Sequence, residues 1–210
     1  MNFEAKDAQE SVSDRSTATI VDLYRPPQQT SAMTNNDVLR RIRYIFDFND
    51  AKMIAIFALA DLQVKRGDII AWLLKDDDPA YEDCNGRTLA TFLNGLISEK
   101  RGKRPGPQPE PEHHLTNNIV LMKLKIALNL QSEDIIAMVT LGGFRLSAPE
   151  LSSFMRRPGH RNYRECKDQV LRYFLKGLQV KYRGEQVESA ETAESTKTPT
   201  ANSPYAKWIK

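Results

Sequence analysis

From Thr34 onward the apolar residues recur at three- and four-residue spacing. Val38, Leu39, Ile42 and Phe46 fall on one helical stripe, and Val120, Leu121, Leu124 and Leu128 fall on another. Leu89, Phe92, Leu93 and Leu96 repeat at i, i+3, i+4 and i+7, as do Leu171, Phe174, Leu175 and Leu178. Between these stripes, Ile54–Leu59 and Ile136–Leu141 read as second helices, with Asp50 and Ser132 as their expected caps. A third helix follows in each half, with core positions Ile69, Trp72 and Leu73 matched by Leu151, Phe154 and Met155. "SAPE" at 147–150 fits a Ser-x-x-Glu capping box at its start. No segment alternates with period two, so the pattern predicts an all-α protein.

The stripes come in pairs because the chain is written twice. Shifted by 82 residues, 34–102 aligns with 116–184 without a gap, and 17 of 69 positions are identical. "TNNDVL" at 34–39 returns as "TNNIVL" at 116–121, with Thr34/Asn35 and Thr116/Asn117 as candidate helix caps. Tyr81 and Cys84 return as Tyr163 and Cys166, and Gly95 as Gly177. A glycine inside a helix costs about 1 kcal/mol relative to alanine. Its presence in both copies predicts close helix–helix approach there. The expected architecture is two tandem four-helix modules related by pseudo-two-fold symmetry.

The copies span 33–103 and 116–183, joined at 104–115 by a stretch in which proline density excludes helix and predicts an extended, solvated connector. Residues 1–32 and 184–210 are rich in Ser, Thr and Glu and poor in core formers, so both are expected to be disordered. The closing "YAKWIK" carries Tyr205, Trp208 and Ile209 as a candidate docking element, or simply as stray apolar residues on a tail. No apolar run reaches the roughly 18 to 20 residues of a membrane span, and the polar N-terminus holds no signal core. With two cysteines, too few for a disulfide scaffold, the expectation is a cytoplasmic protein.

"FLNGLISEKRGK" at 92–103, the twin "TNN" starts and "RNYRECKDQVLRYFLKGL" at 161–178 resemble the YehS-like family of uncharacterised bacterial proteins, a domain of unknown function. The resemblance covers about residues 33–183, including the duplicated layout. It implies a cytoplasmic helical protein and carries over no catalytic residue. The two flanks have no counterpart in it.

Charge separates the copies. Residues 33–103 hold 11 Lys/Arg against 11 Asp/Glu, whereas 115–183 hold 12 against 5. Most of the contrast lies in one loop. "LKDDDPAYEDCN" at 74–85 becomes "RRPGHRNYRECK" at 156–167. Asp76, Asp77 and Asp78 form a candidate acidic surface in the first copy. Arg156, Arg157, Arg161, Tyr163, Arg164 and Lys167 form a candidate contact for phosphates or an acidic partner in the second.

Three readings compete: a solvated surface without a partner, nucleic acid, and contact between the two loops of separate molecules. A loose helix-turn-helix pattern over "DIIAMVTLGGFRLSAPELSSFMRR" favours the second, although its turn is two residues longer than usual. Chemistry is less visible. His113 and His114 lie in the connector near Glu110 and Glu112, where solvation is a better account than a metal site. Cys84 and Cys166 are repeat equivalents, which points to packing rather than redox pairing. No nucleophile–base pair or phosphate-binding glycine loop is present, so neither enzyme activity nor a cofactor is expected. The reading these features support is a non-enzymatic binding or adaptor protein using the basic surface of the second copy. The alternatives are a nucleic-acid-binding protein and a self-associating structural protein.

Overall fold

The computed structural model describes residues 32–184, and among them are eight helices and no strand. The first copy contributes α1 (Asn35–Ile45), α2 (Asp50–Leu59), α3 (Arg66–Leu73) and α4 (Gly86–Arg101). The second contributes α5 (Asn117–Ala127), α6 (Ser132–Leu141), α7 (Ala148–Phe154) and α8 (Asp168–Arg183). The expectations for the flanks, including "YAKWIK", lie outside the described residues.

Each copy begins with the same device. The Thr34 hydroxyl accepts from the Asp37 amide at 3.1 Å while the Asp37 carboxylate accepts from Thr34 N, a reciprocal cap. The Thr116 hydroxyl accepts from Ile119 N. Threonine is thus the cap in both, which frees the asparagines for other work. At the second helices the expected caps are corrected by one residue. Asn49 and Gln131 occupy the extended cap positions, and Asp50 and Ser132 are the first helical residues. Asn49 wins because its amide oxygen reaches Lys52 N at 2.8 Å. The Asp50 carboxylate instead bridges Arg43 and Arg66, each at 2.9 Å. Ser147 caps α7 with Glu150 in the expected box.

Within a copy the closest packing joins the second and fourth helices, α2 on α4 and α6 on α8. The repeated glycines explain it. A Cβ built on Gly95 would stand 1.9 Å from the Ile56 carbonyl oxygen, and one on Gly177 would stand 1.8 Å from that of Met138. Only a residue without a side chain lets the backbones approach so far.

The copies pack by exchange. α4 lies against α5 and α1 against α8, two interfaces related by the pseudo-two-fold axis, and each is more extensive than α1 on α4 or α5 on α8 within a copy. The first helix of each copy is therefore covered chiefly by the fourth helix of the other. One continuous cluster of buried residues results, running from Val38 through Phe57 and Phe92 to Phe174 and Leu178.

Candidate functional site

The two charged loops share one backbone frame. In the second copy, His160 N donates to Arg157 O, Tyr163 N to His160 O, and Arg164 N to Ser153 O, at 3.1, 2.8 and 3.3 Å. In the first, Asp78 N donates to Lys75 O, Tyr81 N to Asp78 O, and Glu82 N to Ala71 O, at 3.0, 3.0 and 3.3 Å. Every donor and acceptor is the 82-residue equivalent of its counterpart.

A buried asparagine completes each frame. Asn36 Nδ2 donates to the Trp72 and Glu82 carbonyls, and its Oδ1 accepts from Cys84 N at 2.9 Å. Asn118 does the same with Phe154, Arg164 and Cys166. One carboxamide thereby ties the first helix of the copy to the end of the third helix and to the loop. It satisfies three backbone groups that burial would otherwise leave unpaired. Cys84 and Cys166 sit beside these clamps as free, buried thiols, and burial pushes both up to about 12. A thiol so far from ionisation is a poor nucleophile or metal ligand.

On this common frame the side chains diverge. Arg156, Arg161, Tyr163 and Arg164 line one cleft of about 430 Å³, together with Ser152 and Asn162. Arg156, Arg161 and Arg164 are exposed and Tyr163 is half-buried. Among the described residues, no carboxylate forms an ion pair with any of the three arginines. Glu150 is the acidic group at the rim, and the Ser147 hydroxyl and amide hold its carboxyl below the usual range. Arg157 and Lys167, read from the sequence as part of the same surface, do not line the cleft. Lys167 pairs with Glu165 at 3.3 Å.

The acidic loop is partly engaged at home. Asp76 meets the Arg40 guanidinium at 3.2 Å, and Asp78 accepts from Ala80 N at 2.9 Å. Asp77 is exposed. α7, the would-be recognition helix, is only seven residues long, and its first turn presents Pro149 and Glu150. The turn before it is bound to packing: Phe144 stacks on Tyr173 of α8.

A second polar arrangement was not legible in the sequence. The connector, expected to be solvated throughout, is instead held along α4 at 108–112. Asn94 Nδ2 donates to Pro109 O at 3.2 Å. Lys123 of α5 is buried between the copies, its ammonium donating to Asn94 Oδ1 and pairing with Glu112 at 2.9 Å. Its only sequence signal was a lysine within the buried face Val120–Leu121–Leu124. His113 and His114 are exposed. Among the described residues, no group of three or more His, Cys, Asp and Glu side chains is placed to hold a metal ion, and no helix is long and apolar enough to cross a membrane.

An all-helical chain of two equivalent modules, each closed by an asparagine clamp, is the class that fold and site define. The family described as "Protein of unknown function (DUF1456)" matches residues 35–102 and 117–184, one match per module, and the chain belongs to that family. It is similar to the protein named "Uncharacterized protein YehS" of Escherichia coli (strain K12), with 48% identity over 147 residues, spanning 70% of this chain and 94% of the relative. No solved structure matches it.

Proposed function

We propose that this chain is a non-enzymatic binding protein of the cytoplasm whose second copy receives an acidic partner in the Arg156–Arg161–Arg164 cleft. The observation that carries the reading is the contrast on a shared frame. Equivalent backbones present Asp76 and Asp77 in one copy and, in the other, three guanidiniums with no ion-pair partner among the described residues, of which Arg164 feels the Glu150 charge at the rim. A guanidinium offers a fixed fork of donors suited to carboxylates and phosphates.

Single-stranded nucleic acid is the second reading. Tyr163 supports it, because an aromatic face beside arginines in one cleft can stack a base while the cations meet phosphates. Self-pairing of the acidic loop with the basic loop is less well supported, since Asp76 is already held by Arg40.

The test titrates the full chain with a fluorescent polyglutamate peptide and with an oligothymidine strand at low salt. Arg161→Glu with Arg164→Glu is expected to weaken binding at least about tenfold. Replacement of Asp76, Asp77 and Asp78 by Asn should leave it unchanged. Binding should fall steeply as salt is raised. Preference for the peptide supports the acidic-protein reading, and preference for the strand supports nucleic acid. If neither binds, or the double variant binds as well as the parent, the cleft is solvated surface and the proposal fails.

A further inference from the structure

The first helices of the two copies carry one stripe of opposite character. Asp37, Arg40 and Tyr44 on α1 are replaced, 82 residues on, by Ile119, Met122 and Ile126 on α5. On α1 the stripe is engaged within the protein. Arg40 pairs with Asp37 and Asp76 at 2.8 and 3.2 Å. The Arg183 guanidinium of α8 lies 4.3 Å from the centre of the Tyr44 ring and pairs with Asp47 at 3.1 Å. On α5 the stripe faces solvent: Met122 and Ile126, one turn apart, are 40% and 42% exposed. The equivalent of Arg183 is Arg101 at the end of α4, but the equivalents of Tyr44 and Asp47 are Ile126 and Asn129. The guanidinium is kept, while the ring and the carboxylate that would receive it are gone.

Arg101, Ile119, Met122 and Ile126 line one cleft of about 380 Å³, closed on the other side by Ile97 and by the connector at Pro109. That volume lies in the range of small-molecule sites, about 300 to 1,000 Å³, which are typically apolar with a few polar groups. The polar groups here are mainly cationic: Arg101, Arg104 and Lys123 against the single carboxylate of Glu112. Arg101 and Arg104 are exposed, and among the described residues no carboxylate forms an ion pair with either. Lys123 is only 7% exposed. Glu112 Oε2 lies 2.9 Å from its ammonium without an aligned hydrogen bond, so the donor to Asn94 Oδ1 is the one the protein fully uses.

We infer that this cleft between α4, the connector and α5 binds a small anionic amphiphile, an aliphatic chain ending in a carboxylate. The carboxylate meets Arg101 and Arg104, whose forked donors match it, and the buried Lys123 charge adds to the attraction. The aliphatic chain lies on Ile97, Ile119, Met122 and Ile126, covering apolar surface that otherwise stays in water. The first copy shows what such an anion replaces: there Asp47 supplies the carboxylate to Arg183 and Tyr44 the surface beneath it. An uncharged chain would leave the guanidiniums unanswered, and a bare anion would leave the apolar wall wet. The site shares no residue with the Arg156–Arg161–Arg164 cleft.

The experiment titrates the full chain by calorimetry with decanoate, kept below the concentration at which it forms micelles, and with decanol and butyrate. Decanoate is expected to bind saturably and at least about tenfold more tightly than decanol, which lacks the charge, or butyrate, which lacks the chain. These comparisons need no variant, so misfolding cannot hide the result. Arg101→Gln with Arg104→Gln should bring decanoate to the level of decanol, and Ile126→Glu should abolish its binding. All three positions are exposed, and circular dichroism checks that helicity is retained. Arg161→Glu with Arg164→Glu should leave decanoate binding unchanged, which separates this site from the loop cleft. No saturable binding by the parent, equal binding of decanol or butyrate, or indifference to both sets of cleft variants would each overturn the proposal. Phosphatidylglycerol vesicles that capture the parent but not the Arg101→Gln, Arg104→Gln variant, with free decanoate inert, would assign the surface to a membrane and overturn it as well.

Discussion

Asn118 makes three hydrogen bonds to backbone groups of Phe154, Arg164 and Cys166, and it is almost wholly buried. Water cannot take over those partners when the side chain is removed. Asn118→Ala is therefore expected to cost about 2 to 4 kcal/mol, more than a typical surface change, because a buried amide and two carbonyls are orphaned together. Asn36→Ala should cost about the same, since its partners are the equivalent groups. Urea denaturation of both variants checks this. A loss below about half a kcal/mol in either would show that the clamp is dispensable. The same residue scale explains why both loops keep their shape while their charge changes: the clamp and the frame use backbone atoms, so the outward side chains are free to vary.

At the scale of elements, helix pairs are spaced by what the sequence omits. Gly177 allows α8 to meet the Met138 carbonyl, and Gly142 at the end of α6 would place a Cβ 2.1 Å from the Tyr173 carbonyl oxygen. The first copy carries Ala60 at the position of Gly142, and α2 packs on α4 less extensively than α6 on α8. Glycine to alanine in an exposed helix stabilises by about 1 kcal/mol. Here the sign should reverse. Gly177→Ala and Gly95→Ala are each expected to destabilise by about 2 to 3 kcal/mol, because the obstacle is backbone rather than a flexible side chain. Thermal melts decide it, and a raised melting temperature would refute the close approach.

For the molecule as a whole, exchange of the first helices across the axis means that neither copy has a complete core alone. Separating the modules would uncover α1 and α5 together with the buried Lys123. The chain is thus expected to unfold in one cooperative transition, with calorimetric and van't Hoff enthalpies equal. Two resolved transitions would mean that the interfaces α1–α8 and α4–α5 add less than the packing inside each copy.

Helix stripes, the duplication and the glycine contacts could be read from sequence because each rests on local periodicity or on a residue repeated at a fixed offset. The stripe Leu171–Phe174–Leu175–Leu178 is helical wherever it packs, and a glycine kept in both copies of a helix needs a reason near at hand. The arginine-rich loop was visible too, as composition. Its division was not: Arg156, Arg161 and Arg164 line one cleft while Arg157 and Lys167 do not, and that depends on how the loop closes onto Ser153 and Asn118. The role of the second asparagine in "TNN" was hidden because its partners lie 36 to 48 residues away. The pairing of Lys123 with Glu112 across the copies follows from helices exchanged across the axis. Sequence determines which faces must be buried. Which faces meet is settled only when the two copies come together, because burial is satisfied equally well by either partner, and only long-range packing chooses between them.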